Sequence, residues 1–167
     1  ITNKVTKVYE RLERPLIPIL KKMETIGIKV DSKLLDNLEK EFSDRANAFS
    51  EEIFKLAGKE FNIGSPQQLG QILFDKKDGM GLEGKKTKTG AWATGAKVLE
   101  NLTDEGHVLP SKVIEWRALT KLKSTYTSSL KEQINPATGR IHTTFAQHFT
   151  STGRLSSNAP NLQNIPI

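Results

Sequence analysis

Residues 31–56 read DSKLLDNLEKEFSDRANAFSEEIFKL and form a long amphipathic segment. Apolar side chains recur in it at helical steps, whereas most of the residues between them are charged or polar. Asp31 stands directly before this pattern, where a side-chain oxygen caps the first free N–H groups of a helix. The segment therefore predicts a long helix that begins after Asp31 and packs one stripe against a core. That stripe consists of Leu35, Leu38, Phe42, Phe49, Ile53 and Leu56.

The chain before this helix is predicted to be helical as well. Apolar residues at steps of three and four make about residues 4–26 an amphipathic helix, which Gly27 ends. Pro15 and Pro18 lie inside this stretch. Because proline lacks a backbone N–H and crowds the preceding turn, we expect a kink or an interruption there. A short extended piece, residues 28–30, leads into the long helix.

The remaining patterns predict shorter helices and one strand. Ser65 stands at an N-cap position, Pro66 at the first helical position and Gln68 at a capping-box position, which predicts a helix through Phe74. Residues 140–149 alternate between polar and apolar side chains, as a strand does. We therefore expect a mainly α fold with a small β element at its C-terminal end. The other predicted helices cover about residues 95–103 and 110–133.

The composition excludes several classes of protein. The 167 residues include no cysteine, which excludes disulfides and thiolate metal sites, and the three histidines never approach a ligand pair at helical spacing. No apolar run approaches the roughly 20 residues that cross a bilayer, and the first residues lack the apolar centre of a secretory signal. We therefore expect a soluble, cytoplasmic chain without a metal site. Because the sequence starts without Met and stops at QNIPI, we also expect a fragment.

The net charge of +6 is concentrated in the second part of the chain. Residues 1–105 carry 18 Lys and Arg against 17 Asp and Glu, whereas residues 106–167 carry 7 against 2. A basic surface attracts polyanions, nucleic acid above all, but it also serves solubility. Composition alone leaves both interpretations open.

The glycine-rich segment GMGLEGKK, residues 79–86, satisfies most of two nucleotide-binding patterns. It fits the dinucleotide pattern G-x-G-x-x-G and the first seven P-loop positions, but Lys86 stands where a P-loop needs Ser or Thr. A P-loop also needs a buried strand before it and a helix directly after it, and neither flank is predicted here. A P-loop NTPase is therefore the least favoured function, and we expect a flexible loop over residues 75–95. Its lysines are either solvated or laid on phosphates, namely Lys76, Lys77, Lys85, Lys86 and Lys88.

The predicted helix at 110–133 separates apolar from hydrogen-bonding side chains. Leu119, Leu122, Tyr126 and Leu130 form an apolar stripe, and cations and hydroxyls lie opposite. The polar face suits a row of phosphates, because Lys and Arg neutralise them and Ser and Thr donate hydrogen bonds to them. A solvated helix face remains the simpler alternative. The polar face consists of Arg117, Lys121, Ser124, Thr125, Ser128 and Lys131.

The C-terminal segment TSTGRLSSNAPNLQNIP, residues 150–166, is a polar run that neither periodicity nor capping explains. Together with KKTKTG (85–90), KLKSTYTSSL (121–130) and NPATGRIHTTF (135–145), it closely resembles the bacterial DNA polymerase I family, the family A DNA polymerases. The resemblance covers nearly the whole chain, from YERLERPLIPILKKMETIGIKVD (9–31) onward. Its most specific part is TGRLSS followed by PNLQNIP.

The resemblance implies an architecture and an activity. Residues 1–10 would be the tail of an exonuclease-like domain, residues 11–135 a thumb with long antiparallel helices, and residues 136–167 the beginning of the palm. The flexible loop at 75–95 would be the thumb tip, which closes over the minor-groove side of a primer-template duplex. Trp92, close behind KTKTG, would stack or anchor the tip. The activity would be that of a DNA-directed DNA polymerase, a nucleotidyltransferase of replication and repair in the bacterial cytoplasm, at the nucleoid.

The resemblance also implies roles for individual residues. Arg154 would reach the minor groove at the primer terminus, with Asn161, Gln163 and Asn164 beside it. Every Watson–Crick pair offers N3 or O2 acceptors there, so donors aimed at them test pair geometry without reading sequence. The helix face and the thumb tip would hold backbone phosphates through Arg117, Lys121, Ser124, Thr125, Lys85, Lys86, Thr87, Lys88 and Thr89.

The family's catalytic motif is not found in these residues. Its nucleotidyl transfer uses two Mg²⁺ ions held by palm aspartates, whereas no aspartate follows Asp104 here. We expect these residues to bind the duplex and the rest of the polymerase chain, to hold no Mg²⁺ and to be inactive alone, although the full-length protein would need Mg²⁺. A non-enzymatic nucleic-acid-binding module is the alternative, and neither interpretation involves a membrane.

Overall fold

A computed structural model describes residues 3–163 and residue 165, and it confirms the mainly α-helical fold. None of the described helices is long and apolar enough to cross a membrane. The α-helices are α1 (Asn3–Val8), α2 (Arg14–Ile26), α3 (Ser32–Ala57), α4 (Pro66–Phe74), α5 (Ala96–Asp104), α6 (Val108–Leu122) and α7 (Ser129–Glu132). Two segments are π-helical, π1 (Tyr9–Glu13) and π2 (Lys123–Ser128). The strands are β1 (Ile28–Lys29), β2 (Ile134–Asn135), β3 (Arg140–Ile141), β4 (Thr144–Ala146) and β5 (Ser156–Asn158).

The helix ends that depend on local chemistry lie where the sequence predicts them. Asp31 Oδ1 accepts a hydrogen bond from Leu34 N at 3.1 Å, so Asp31 caps α3. Gly27 ends α2 with a φ of +66°, and its N–H donates to Met23 O at 2.9 Å. Glycine adopts this left-handed backbone at little cost, which explains why the helix ends there.

The predicted capping box of α4 is correct at one bond and wrong at the other. The Ser65 hydroxyl accepts from Gln68 N at 3.4 Å, as an N-cap does. The Gln68 side chain accepts from Asn62 N at 2.7 Å instead of from Ser65 N, because Ser65 N already donates to Asn62 O at 2.9 Å. The chain before α4 therefore forms a turn at residues 62–65, and the residue pattern of 65–68 does not predict this turn.

The prolines near the start of the chain produce a widened turn and no break. Pro15 lies in the first turn of α2, directly after π1, and Pro18 lies inside α2. A proline ring clashes with the carbonyl four residues before it, which for Pro15 is that of Arg11 within π1. A π-helical turn moves that carbonyl away, so the helical path continues.

The helix predicted at 110–133 begins earlier than expected, and a π-helical segment within it changes which side chains are buried. It starts at Val108 as α6, turns π-helical over Lys123–Ser128 and resumes as α7. The extra residue in a π-helical turn rotates the residues that follow it. As a result Thr127 is buried, with 1% of its surface exposed, whereas Tyr126 of the predicted apolar stripe is only half-buried.

The single strand predicted at 140–149 is wrong. The segment divides into β3 and β4, which belong to different sheets, and residues 147–149 form bends. His142 and Thr143 separate the two strands because their side chains bind elsewhere. His142 Nδ1 lies 2.8 Å from Glu24 O, and Thr143 Oγ1 donates toward the carbonyl of Pro160 at 2.8 Å.

The backbone forms two compact units. One, here called the helical unit, comprises residues 37–124, and the other, the sheet unit, comprises the described residues up to Asp36 and from Thr125 onward. The core of the helical unit includes Ile53, so the predicted apolar stripe of α3 is confirmed at this residue. Leu56 of that stripe is 45% exposed, and Phe54 and Ala57 pack against the core instead. The buried core residues are Ile53, Ile63, Leu69, Ile72, Leu73, Phe74, Leu99, Leu102, Leu109 and Val113.

The sheet unit contains two small antiparallel sheets. In one, β3 lies between β1 and β2, so that the buried Ile141 is opposite both Ile28 and Ile134. In the other, β4 pairs with β5, and Phe145 is opposite Ser157. An ion pair between Lys131 and Asp36 joins α7 to the start of α3.

Candidate nucleic-acid interface

The glycines of GMGLEGKK allow the chain to pack closely against α4. A Cβ atom on Gly79 would lie 2.3 Å from Gln71 O, and one on Gly84 would lie 2.4 Å from the ring of Phe74. The residue after Gly79, Met80, donates its N–H to Ile72 O at 2.7 Å. Free carbonyls at the end of α4 are therefore bonded by this segment, and its glycines serve packing against protein.

The segment that follows α4 is a closed turn rather than the open loop that we expected. Asp75 Oδ1 accepts hydrogen bonds from Lys77 N at 2.7 Å and Asp78 N at 3.1 Å. These two bonds stabilise the ionised carboxylate and lower the pKa of Asp75. Lys59 Nζ donates to Asp78 O at 3.0 Å, so this lysine of another segment also holds the turn.

Residues 85–93 form a short hairpin, here called the tip hairpin. Ala93 N donates to Lys85 O at 2.9 Å, and Thr87 N donates to Ala91 O at 2.7 Å. Lys86 and Trp92 face each other across an antiparallel bridge. The turn needs a left-handed residue, which Gly90 supplies with a φ of +83°. Within the loop that was expected to be flexible, residues 85–93 therefore form a hydrogen-bonded hairpin.

Trp92 anchors the tip hairpin to α4. Its ring centroid lies 5.1 Å from that of Phe74, and a Cβ on Gly70 would lie 2.6 Å from Trp92 Cβ. Lys86 Nζ lies 5.0 Å from the centre of the Trp92 ring, at cation–π distance. We expected Trp92 either to stack or to anchor the tip, and its contacts with Phe74 and Gly70 of α4 are those of an anchor.

The predicted polar face of the following helix is partly bound within the protein. Arg117 Nη1 donates to Thr94 O at 2.6 Å, and partial burial lowers the pKa of the guanidinium. Ser124 Oγ donates to Lys121 O at 3.2 Å. Lys121 itself is exposed. Arg117 therefore ties the segment after the tip hairpin to α6, while Lys121 extends its ammonium group into solvent.

The tip hairpin and the polar helix face line one groove of about 1050 Å³, here called the tip groove. It is lined by the two tryptophans, Trp92 and Trp116, and by side chains that carry cations and hydroxyls. The N-terminus of α5 also lines it, and Gly95 at the N-cap offers no side chain to bond the first N–H groups. Five of the residues predicted to bind phosphates line this groove, namely Thr87, Thr89, Arg117, Lys121 and Ser124.

Lysines 85, 86 and 88 are not among the residues that line the tip groove. Lys85 lines a different cavity of about 570 Å³ together with Glu83 and Glu105. Lys86 lies over Trp92, and Lys88 is exposed in the hairpin turn. Lys97 and Trp116, which sequence reasoning did not select, do line the groove. Lys97 is in the first turn of α5. Its place at the start of a predicted helix was the only feature of the sequence that could have indicated a role in the groove.

In the sheet unit, Arg154 lies just before β5 and is exposed. Its carbonyl accepts a hydrogen bond from Thr150 Oγ1 at 2.5 Å. Among the described residues, none forms a hydrogen bond or ion pair with its guanidinium. The side chain is therefore available to solvent or a ligand while its backbone is held.

A buried pair of hydroxyls closes the turn after β5. Thr143 Oγ1 and Ser157 Oγ are 2.7 Å apart, and 5% and 0% of these residues is exposed. Both hydroxyls also lie within hydrogen-bond distance of Pro160 O, and Ser157 Oγ accepts from Leu162 N at 3.2 Å. Sequence reasoning missed this pair, because buried and exposed hydroxyls look alike in a polar run.

The amides of PNLQNIP bond to their own turn. Asn161 Oδ1 accepts from Gln163 N at 3.0 Å. Gln163 Nε2 donates to Leu155 O at 2.7 Å, and its Oε1 accepts from Ser157 N at 3.2 Å. Asn164, the fourth residue predicted to contact the minor groove, lies outside the described residues. Asn161 and the predicted phosphate ligand Thr125 line a cavity of about 220 Å³ together with Tyr126, Ser129, Leu130, Gln133, Pro160 and Ile165.

Comparisons with known proteins agree with the resemblance noted in the sequence. The model of DNA polymerase family A matches residues 32–167. DNA polymerase I of Rhizobium leguminosarum is 55% identical over 98% of this chain, and that of Geobacillus stearothermophilus is 47% identical over 99%. A solved structure, the POL domain of Pol1 from M. smegmatis in complex with DNA primer-template and dNTP, superimposes with a TM-score of 0.83 at 40% identity over 96% of this chain.

These relatives are much longer than the chain. It spans 16% of the Rhizobium protein, 18% of the Geobacillus protein and 28% of the solved POL-domain chain. The match to the family model nevertheless runs from the start of α3 to the last residue and so covers most of the chain. The chain therefore belongs to DNA polymerase family A.

Proposed function

We propose that the chain binds primer-template duplex DNA as part of a DNA-directed DNA polymerase of replication and repair. The observation that carries the proposal is the tip groove, where two segments about thirty residues apart place hydroxyls and cations around one concave surface. The solved relative in complex with DNA primer-template and dNTP supports the choice of ligand.

Phosphates of the duplex backbone are the groups that the tip groove binds. Lys121 supplies an exposed positive charge, and the hydroxyls of Thr87 and Thr89 supply donors. The first N–H groups of α5 carry no side-chain cap, and such N–H groups attract anions. Contacts of this kind neutralise phosphates and release counterions, so the affinity falls as salt rises and is independent of base sequence.

The exposed polar residues of the sheet unit contact the minor groove at the primer terminus. Arg154 projects from a backbone whose carbonyl is held by Thr150, and Asn161 lies in the turn after β5. Donors on these side chains reach the N3 and O2 acceptors that all four base pairs share. The pair geometry at the terminus is thereby tested without regard to sequence.

In this proposal, residues 11–135 form the thumb, with its tip at 75–95, and residues 136–167 begin the palm after an exonuclease-like tail at 1–10. This division follows the family resemblance. The compact units, which divide at 36/37 and 124/125, follow backbone contacts and are a different criterion. The bacterial relatives support a cytoplasmic location at the nucleoid.

In this proposal the chain binds and orients the duplex, and the rest of the polymerase supplies the carboxylates that hold the Mg²⁺ ions of the reaction. Among the described residues, no cluster of three or more His, Cys, Asp or Glu side chains could hold a metal ion.

A salt series with matched lysine variants tests the proposal. Binding of a fluorescent primer-template duplex is measured by anisotropy for the wild type, for Lys121→Ala and for Lys55→Ala, which removes an exposed lysine at the end of α3. We expect Lys121→Ala to weaken binding for all duplex sequences and to reduce the slope of log K against log salt by about one unit, with Lys55→Ala unchanged.

Two further readouts separate the alternatives. Trp92 and Trp116 are the two tryptophans of the chain and both line the tip groove, so the duplex should change their fluorescence while Mg-ATP should not. Primer extension by the full-length protein distinguishes a polymerase from a non-enzymatic binding module. Identical salt slopes for the three proteins would exclude the tip groove as the phosphate site.

A further inference from the structure

The side chain of Gln163 connects two backbone groups at the start of β5. Its Nε2 donates to Leu155 O at 2.7 Å, and its Oε1 accepts from Ser157 N at 3.2 Å. A glutamine amide has one oxygen and two N–H donors. The oxygen and one donor are therefore bonded within the turn, and the fork of donor and acceptor that would read a base edge is no longer available.

One of the two residues bonded by Gln163 directly follows Arg154 in the chain. Leu155 is its next neighbour, and the carbonyl of Arg154 itself accepts from Thr150 Oγ1 at 2.5 Å. Bonds from two side chains, Thr150 and Gln163, thus hold the backbone at the carbonyl of Arg154 and at the residue that follows it. The side chain projects from that fixed base into solvent.

A fixed base matters for a long side chain such as arginine. An arginine loses rotamer entropy when its side chain is ordered, in addition to the cost of ordering its backbone. A backbone that is already held limits the directions in which the guanidinium can point. Binding then requires ordering of the side chain alone.

The geometry points to Gln163 and Thr150 as positioning residues for Arg154, with Gln163 acting through the backbone of β5 rather than on DNA. This inference rests on the proposed role of Arg154 at the primer terminus. It revises the role that the family resemblance implies for Gln163, and it adds Thr150, to which neither the sequence patterns nor the resemblance gave a role.

The main test is a double-mutant cycle between Arg154→Ala and Gln163→Ala in the full-length protein. The duplex affinity and the rate of single-nucleotide extension are measured for the wild type, both single variants and the double variant. One backbone-directed hydrogen bond corresponds to about a two- to tenfold effect, so we expect Gln163→Ala to lower extension by that factor. In the Arg154→Ala background the same substitution should change extension less than twofold.

Thr150 offers a matched pair of variants. Thr150→Val removes the hydroxyl at nearly constant volume, whereas Thr150→Ser retains it. We expect extension to fall with Thr150→Val and to return toward wild type with Thr150→Ser, with equal thermal unfolding temperatures for both. If a substitution of Thr150 acted only by destabilising the fold, the unfolding temperature would fall together with the duplex affinity, and that result would contradict a positioning role.

The outcomes separate this inference from the proposed function. Additive losses for Gln163→Ala and Arg154→Ala would mean that Gln163 contacts the duplex itself, and unchanged extension for Gln163→Ala would remove it from the interface; either result overturns the inference. Wild-type extension for Arg154→Ala would overturn both the role of Arg154 and the inference. The Lys121 salt series would still report on the tip groove independently.

Discussion

Substitution of Gly84 by alanine should destabilise the helical unit through one defined collision. The added Cβ would lie 2.4 Å from Phe74 Cδ1 and 2.6 Å from Cγ, whereas carbon atoms in contact are separated by about 3.5–4.0 Å. Phe74 cannot rotate out of the way, because 2% of it is exposed and its ring lies against Trp92. The backbone of residue 84 must therefore move by about 1 Å, or the ring must leave its site.

Overpacking of this size costs about 1–3 kcal/mol. For a protein of this length, each kcal/mol lowers the unfolding temperature by about 2–4 °C, so we expect a decrease of about 2–12 °C. Urea unfolding followed by tryptophan fluorescence measures the helical unit selectively, since Trp92 and Trp116 both lie in it.

A second substitution identifies the collision as the cause. In a Phe74→Leu background the ring is absent, so Gly84→Ala should cost at least 1 kcal/mol less there than in the wild type, a coupling of ordinary size for residues in contact. Strictly additive costs, or a wild-type midpoint for Gly84→Ala alone, would refute the close approach of this segment to α4. Displacement of the segment should also weaken duplex binding, because it leads directly into the tip hairpin.

Three other predictions concern single residues. Thr143→Val leaves the buried turn after β5 without its hydroxyl and should cost about 1–3 kcal/mol in urea unfolding, whereas Thr144→Val, at an exposed position on β4, should stay within about 0.5 kcal/mol. Arg117→Ala removes the bond to the carbonyl of the buried Thr94 and should lower the free energy of unfolding, measured with urea, by about 1–3 kcal/mol; an unchanged free energy of unfolding would contradict the anchoring role. The pKa of Asp75 is lower folded than unfolded, so its contribution to stability is present above about pH 3.8 and is lost as the pH falls through the folded pKa; Asp75→Asn should remove that part of the acid dependence in pH-series melts.

Helix ends were predictable where a side chain bonds its own backbone a few residues away. Asp31 and Gly27 act within one helical turn, so their spacing in the sequence contains the geometry. Gln68 bonds Asn62 instead of Ser65, because a turn outside the pattern brings a different N–H within reach. Similarly, Leu56 fits the apolar period of α3 but is exposed, since the core contacts that helix at Ile53, Phe54 and Ala57.

The sequence indicated which types of residue form the candidate site, but only partly which of these residues lie together. Thr87 and Lys121 were selected from separate motifs, and their common groove depends on how Trp92 seats the tip hairpin on α4. A sequence pattern has no access to that contact, since Trp92 and Phe74 are eighteen positions apart. The bonds of Gln163 could not be predicted for the same reason, because its partner Leu155 lies eight residues earlier, directly before β5.

The π-helical segment Lys123–Ser128 gives the chain one point at which its length can change without turning α7. Deletion of a single residue there would let the segment continue as an ordinary α-helix. Because a π-helical turn holds about one residue more than an α-helical turn, the shortened segment would rotate through nearly the same angle, and the side chains of α7 would keep their direction. The same deletion within α6 would turn every later side chain by roughly 100°. A one-residue length difference between relatives is therefore best placed within Lys123–Ser128 in a sequence alignment.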